Sequence, residues 1–250
     1  DVTYITRRLS GSTTATAATL STTAEDPFLC KFVQEDECST AATQCPRKCS
    51  QASCGLSTSP EFDEKTTSER ILNGRPTISG KYPWMVHLSY FTSHLKILVP
   101  CGGTLIRKRW VLTAAHCFRF LEPNVNLIIR IGFVDRTRQD PGSLIFSASL
   151  EDIIKHDGFN PTTLENDLAL IQLPQDVVYN NITQPICLGR NEDIPFGGKT
   201  TATGWGLLKQ GDTETPTLLQ EVQLDVVPEL ECSSPQHFIC AFTPNKDTCS

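Results

Sequence analysis

Apolar and polar residues alternate in Val125-Asn126-Leu127-Ile128-Ile129-Arg130-Ile131, which puts positions 125, 127, 129 and 131 on one face of an extended chain. The same period returns in Val222-Gln223-Leu224-Asp225-Val226. Asp167 to Leu173 is a near-continuous apolar run after its first residue, which suits a strand covered on both faces. Asp157-Gly158, Asn160-Pro161 and Phe196-Gly197-Gly198 supply turn chemistry between such runs. No segment carries a long helical period. The pattern predicts an all-β fold of sandwich or barrel type.

This texture begins at Ile71. Before it, residues 1–29 contain a tract from Gly11 to Ala24 made almost wholly of Ser, Thr, Ala and Gly, which cannot bury a core. An O-glycosylated stalk and a plain flexible linker both fit it. Residues 30–56 hold Cys30, Cys38, Cys45, Cys49 and Cys54 with little apolar material, so disulfides are expected to staple this module. Residues 57–70 are polar and charged and read as an exposed linker. Residues 71–250 form the main domain.

The chain has 250 residues, 39% of them hydrophobic, enough for one large β domain with small appendages. Its net charge is −6 and it shows no basic stripe with interleaved aromatics, which argues against a nucleic-acid partner. No apolar run reaches the roughly eighteen residues of a membrane-spanning helix, so no membrane segment is expected in these residues. The first residue is Asp and no signal peptide is visible, so the numbering is expected to start inside a longer or processed precursor. Eleven cysteines point to an oxidising compartment, and hence to a secreted, extracellular protein. Zinc would favour short C-x-x-C pairs, and none occurs; Cys45 and Cys49 have a usable spacing but no nearby His, so no metal is expected. Asn181-Ile182-Thr183 is a glycosylation sequon at Asn181, consistent with secretion.

Two residues stand out chemically. His116 follows the strand-like Trp110-Val111 in Leu112-Thr113-Ala114-Ala115-His116-Cys117. Asp167 opens the apolar run in Asn166-Asp167-Leu168-Ala169-Leu170, where burial would demand a strong partner such as an imidazole. Taken alone, each also fits a structural His or a strand-end Asp. Together with Ile71-Leu72-Asn73-Gly74, Cys101-Gly102-Gly103-Thr104, Pro185-Ile186-Cys187-Leu188 and Gly204-Trp205-Gly206, in this order, they resemble the chymotrypsin/trypsin family of serine proteases. The resemblance covers residues 71–250. It implies two antiparallel β-barrels with the active site between them, the second barrel incomplete in this sequence.

The resemblance implies that His116 is the general base and acid and Asp167 its orienter. Lys246-Asp247-Thr248-Cys249-Ser250 matches the approach to the family's nucleophile, which would follow about three residues later. Ser250 is not in its register, so the sequence as it stands is expected to be inactive. Asp247 matches the base of the specificity pocket, where a carboxylate selects Arg or Lys; a solvated loop acid is the plainer reading. Arg70-Ile71 matches the activation bond, whose cleavage frees an amino group that folds inward to pair with a carboxylate beside the nucleophile. The family also implies disulfides Cys101–Cys117 and Cys232–Cys240. A Cys54–Cys187 pair, tethering the pro-region after cleavage, is expected with them. Cys30, Cys38, Cys45 and Cys49 would leave two local pairs, and Cys249 would be alone.

Some positions depart from the family. Thr104 stands for the commoner Ser, Ala241-Phe242 for Ala-Gly, and Phe133 with its neighbours for the calcium-loop carboxylates, so no calcium is expected there. No cofactor is expected. The implied partners are protein or peptide substrates, an activating protease and protein inhibitors. The leading reading is a secreted zymogen of an endopeptidase cleaving after Arg or Lys. A non-catalytic homologue that binds a partner, and a glycosylated adhesion protein, are the alternatives.

Overall fold

The computed structural model describes residues 4–6 (backbone only), 54–57, 74–188, 197–208, 214–227 and 240–243. Strand formation follows the period-two pattern. Strands β1 (Tyr4–Thr6), β2 (Arg75–Pro76), β3 (Met85–Thr92), β4 (Ile97–Arg107), β5 (Trp110–Thr113) and β6 (Leu127–Ile131) come first in the chain. They are followed by β7 (Leu144–Ala148), β8 (Ile153–Lys155), β9 (Ala169–Gln172), β10 (Lys199–Gly204), β11 (Gln220–Val226) and β12 (Ala241–Phe242). Among the described residues the helical elements are short 3-10 turns, Ala115–Phe118 and Leu150–Asp152.

A seven-stranded antiparallel sheet runs β7-β6-β3-β4-β5-β9-β8 and curls into a half-barrel. Its concave side is the main core: Val86, Leu88, Leu105, Val111, Ile129, Ile131 and Ile171 are buried. Leu127, Ile129 and Ile131 point inward, as the alternation predicts, while Ile128 and Arg130 are half-buried. Gly103 is required by this packing. A Cβ there would sit 2.8 Å from Val111 Cγ1 and 3.3 Å from Leu88 Cδ1, too close for ordinary contact.

The second sheet runs β1-β10-β11-β12, with β2 also paired to β11. Val222, Leu224 and Val226 are buried on one side of β11, again as expected. Tyr4–Thr6, from the region whose composition reads as stalk, forms an edge strand against β10, with Tyr4 opposite Thr203. The β-branched and aromatic Val2-Thr3-Tyr4-Ile5-Thr6 precedes the Ser/Thr/Ala tract and has the composition of a strand. The rest of residues 1–29, and residues 30–53, lie outside the described residues.

The second sheet packs on the outer face of β3. Met85 Sδ receives the Thr203 hydroxyl at 3.2 Å, and the His87 ring meets Trp205 edge-on at 5.3 Å. Burial on both faces leaves His87 4% exposed, and neither ring nitrogen has a hydrogen-bond partner among the described residues. Burial, reinforced by the charges of Arg130 and Arg136, lowers this imidazole to about 4.

The neutral ring is therefore the folded form, and the unfolded chain binds the extra proton first. Stability should fall as pH drops from about 6.5 towards 4, by up to about 3 kcal/mol, and then level off for this group. His87→Phe keeps an aromatic ring against Trp205 and removes the titration. Urea midpoints at pH 7 and pH 4 should converge in the variant relative to wild type; an equal acid loss in both proteins would exclude His87 as its source.

Candidate active site

Strands β5 and β9 pair antiparallel with Thr113 opposite Ala169. That register places His116, three residues past the end of β5, beside Asp167, two residues before the start of β9. Asn166 turns the chain here with φ 52°, a left-handed conformation that Asn tolerates. Its side-chain amide donates to Gly158 O at 3.0 Å, which fixes the turn that presents Asp167.

Asp167 grips His116 twice. Oδ1 accepts the His116 backbone N–H at 2.8 Å, and Oδ2 lies 2.7 Å from Nδ1 of the ring. An ionised carboxylate only accepts, so Nδ1 carries the proton and Nε2 is left with its lone pair. This is the tautomer a general base needs. Among the described residues Nε2 has a long contact, 4.0 Å, with Cys117 Sγ. The side chains are 35% exposed for His116 and 19% for Asp167, so the pair is open to solvent on one side. Asp167 is thus only partly covered, because it sits at the mouth of the buried run.

Neighbouring residues hold this geometry. A disulfide joins Cys101 on β4 to Cys117, directly after His116. Thr113 Oγ1 donates to Gly102 O at 2.7 Å, and the Tyr90 hydroxyl donates to Cys117 O at 2.9 Å. Glu122 ties the loop after His116 to the tip of the β3–β4 hairpin. It accepts from the Thr92 and Ser93 hydroxyls and from the His94 amide, at 2.7–3.2 Å, and these bonds, Ser93 foremost, hold its carboxyl below the usual range. Thr113 belongs to the Thr-Ala-Ala-His-Cys stretch and was in view in the sequence. Tyr90 and Glu122 carry no sequence signal, because their partners lie 27–30 residues away.

Cys101, His116 and Cys117 bring potential metal-ligating atoms within 4.8 Å of one another. The two sulfurs are bonded to each other, which leaves the imidazole as the only ligand of the three.

A second disulfide joins Cys54 to Cys187, and Gly55 N donates to Pro185 O at 2.9 Å beside it. Cys240 is disulfide-bonded; Cys232, its expected partner, lies outside the described residues, as do Arg70, Ile71, Asp247 and Cys249. Asn181 is exposed in a turn closed by paired backbone bonds between Asn180 and Thr183, and Thr183 itself is fully buried.

A carboxylate–imidazole pair thus stands at the end of a half-barrel sheet with a second sheet packed beside it, the arrangement of a base held by its orienting acid. A family model described as Trypsin matches residues 71–250, and the chain belongs to that family of serine proteases. It is similar to the serine protease filzig of Drosophila melanogaster, with 34% identity over 73% of this chain and 11% of that protein. Ovochymase of Halocynthia roretzi is 31% identical over 76% of this chain and 12% of its own length. Vitamin K-dependent protein C of Rattus norvegicus is 33% identical over 69% of this chain and 37% of its own. The chain therefore spans about a tenth to over a third of the length of these relatives. Among solved structures, that of GrC superposes with a TM-score of 0.60 at 25% identity, covering 68% of this chain and 74% of that one.

Asp167→Asn should retain the fold but lose the acceptor that sets the tautomer of His116. In an active form of the protein, kcat for peptide hydrolysis should fall by about 10⁴-fold, the cost of this substitution in serine-protease triads. A loss under tenfold would mean that Asp167 does not orient the base.

Proposed function

We propose that the protein is a secreted zymogen which, after cleavage of Arg70-Ile71, hydrolyses polypeptides on the carboxyl side of Arg or Lys. The observation that carries this reading is the double contact from Asp167 to His116, which leaves Nε2 free to take a proton from a nucleophile. The nucleophile is the serine hydroxyl that the family resemblance places about three residues after Ser250. His116 takes its proton during attack and returns it to the leaving amine, while Asp167 stabilises the imidazolium that forms between the two steps. The freed Ile71 ammonium folds inward to pair with a carboxylate and orders the pocket and oxyanion site, as the family resemblance implies. Protein substrates follow from the family; the activating protease and protein inhibitors are proposed as further partners. Among the described residues no helix is long and apolar enough to cross a membrane.

Secretion is supported by the Cys54–Cys187 and Cys101–Cys117 disulfides and the bonded Cys240, which an oxidising compartment would maintain. We further propose glycosylation at Asn181, added before folding buries the hydroxyl of Thr183.

N-terminal sequencing of the active form should read Ile-Leu-Asn-Gly. Because Cys54 is bonded to Cys187, the cleaved protein should run as one band without reductant and as two with it. Any other amino terminus on the active form would sink the activation site, and two bands without reductant would sink the tether.

Asp247 is proposed as the charge that receives the substrate cation. Matched peptides with Arg, Lys, Phe or Leu before the scissile bond separate this from a solvated acid. Asp247→Ser should lower kcat/KM for Arg and Lys peptides by up to about a thousandfold, because an unpaired buried cation costs about 3–5 kcal/mol. Activity on Phe and Leu peptides should hold or rise. A wild type that prefers Phe or Leu would refute the specificity; a full-length protein that cleaves none of the four would favour a binding homologue.

A further inference from the structure

Glu221 is 1% exposed, yet it stands on β11 at a position that the alternation of Val222, Leu224 and Val226 would send outward. Three donors from one short segment close over it. Arg75 Nε lies 2.7 Å from Oε1, Lys81 Nζ 2.7 Å from Oε2, and the Tyr82 hydroxyl donates to Oε2 at 2.6 Å. Burial first, and the adjacent carboxylate second, push the Tyr82 phenol well above its ordinary range, so it stays a donor. Backbone pairing reinforces the contact: Arg75 lies opposite Glu221, Pro76 opposite Gln220, and Thr77 N donates to Leu219 O at 2.8 Å.

A buried cluster of this kind is a poor source of stability, because well-packed apolar residues of similar volume serve as well or better. Its distinctive property is placement. Two cations and a phenol from residues 75–82 fit one carboxylate, so the segment has a single register on β11. The segment begins four residues after Ile71, and the cluster is already made in a chain that is continuous through Arg70-Ile71.

We propose that Glu221 is a positioning residue for the activation switch: it pins the chain at Arg75, so that the amino terminus freed at Ile71 moves on a short tether from a fixed pivot. The proposal rests on the activation reading above and adds what makes the switch efficient. Residues 71–74 reach about 14 Å at roughly 3.5 Å per residue. If the backbone pairs of residues 75–77 open with the cluster, the next fixed point is Pro83, whose carbonyl accepts from Gln184 N at 3.0 Å, and the tether grows from four residues to twelve. Effective concentration falls roughly as the −3/2 power of tether length, which is up to about a fivefold loss of the inserted state.

The test uses the full-length protein, cleaved and sequenced to show Ile71 at the new amino terminus. Wild type, Glu221→Gln and Arg75→Gln are exposed to cyanate at pH 8, and carbamylation of the Ile71 amine is timed by mass spectrometry. Glu221→Gln should react faster by several-fold, up to about fivefold. Arg75→Gln leaves Lys81 and Tyr82 on the carboxylate, should shift the rate in the same direction by less, and serves alone if Glu221→Gln does not fold. Melting temperatures of the uncleaved proteins record the purely structural effect. Lower melting temperatures with unchanged carbamylation in both variants would overturn the positioning role. A wild-type amine as reactive after cleavage as in urea would overturn the activation reading, and the proposal with it.

Discussion

The site depends on one carboxylate holding two hydrogen-bond donors of one residue. Asp167 takes the backbone N–H of His116 and the ring Nδ1 with separate oxygens, across 51 positions of sequence. The first bond satisfies an amide at the start of a 3-10 turn, which lacks a partner within the turn. The second bond sets the ring and its tautomer. Because both end on the same side chain, the backbone that carries the imidazole and the imidazole itself cannot drift independently. This constraint passes back through the fold. Thr113 opposite Ala169 brings the two loops together, and the Cys101–Cys117 bridge with the Thr113 and Tyr90 hydrogen bonds holds the turn in place.

Much of this was legible in the sequence where burial is one-sided. Positions 127, 129 and 131 and positions 222, 224 and 226 face the core because a strand alternates its side chains and one face meets apolar neighbours. The run after Asp167 was readable for the opposite reason, since β9 lies between β5 and β8 and has no wet face over Ala169–Ile171. His116 and Asp167 stood out through the ordered motifs that resemble the chymotrypsin/trypsin family, since taken alone each also fits a structural residue.

What escaped the pattern is burial imposed from a distance. Met85, His87 and Ser89 share the outer face of β3, which alternation alone would give to solvent, and all are buried. Trp205 and Thr203, more than a hundred residues away, cover Met85 and His87. Glu221 escaped in the same way, because a lone Glu in a strand gives no hint that two cations and a phenol will converge on it. Such residues are read correctly only once their distant partners are in place.

These two long-range contacts differ in kind. At His87 the apolar Trp205 ring faces an imidazole whose nitrogens go unmatched among the described residues, so the contact tolerates only the neutral form. At Glu221 every donor is charged or strongly polar and the fit is directional. The Glu221 contact lies just after Arg70-Ile71, and the Cys54–Cys187 bond lies just before it. One covalent and one ionic clamp therefore bracket the proposed cleavage bond, on chain that packs against the domain at both ends. Cutting between them changes the connectivity of residues 58–73 without releasing either flank, which is the mechanical condition for a local switch rather than the separation of a pro-region.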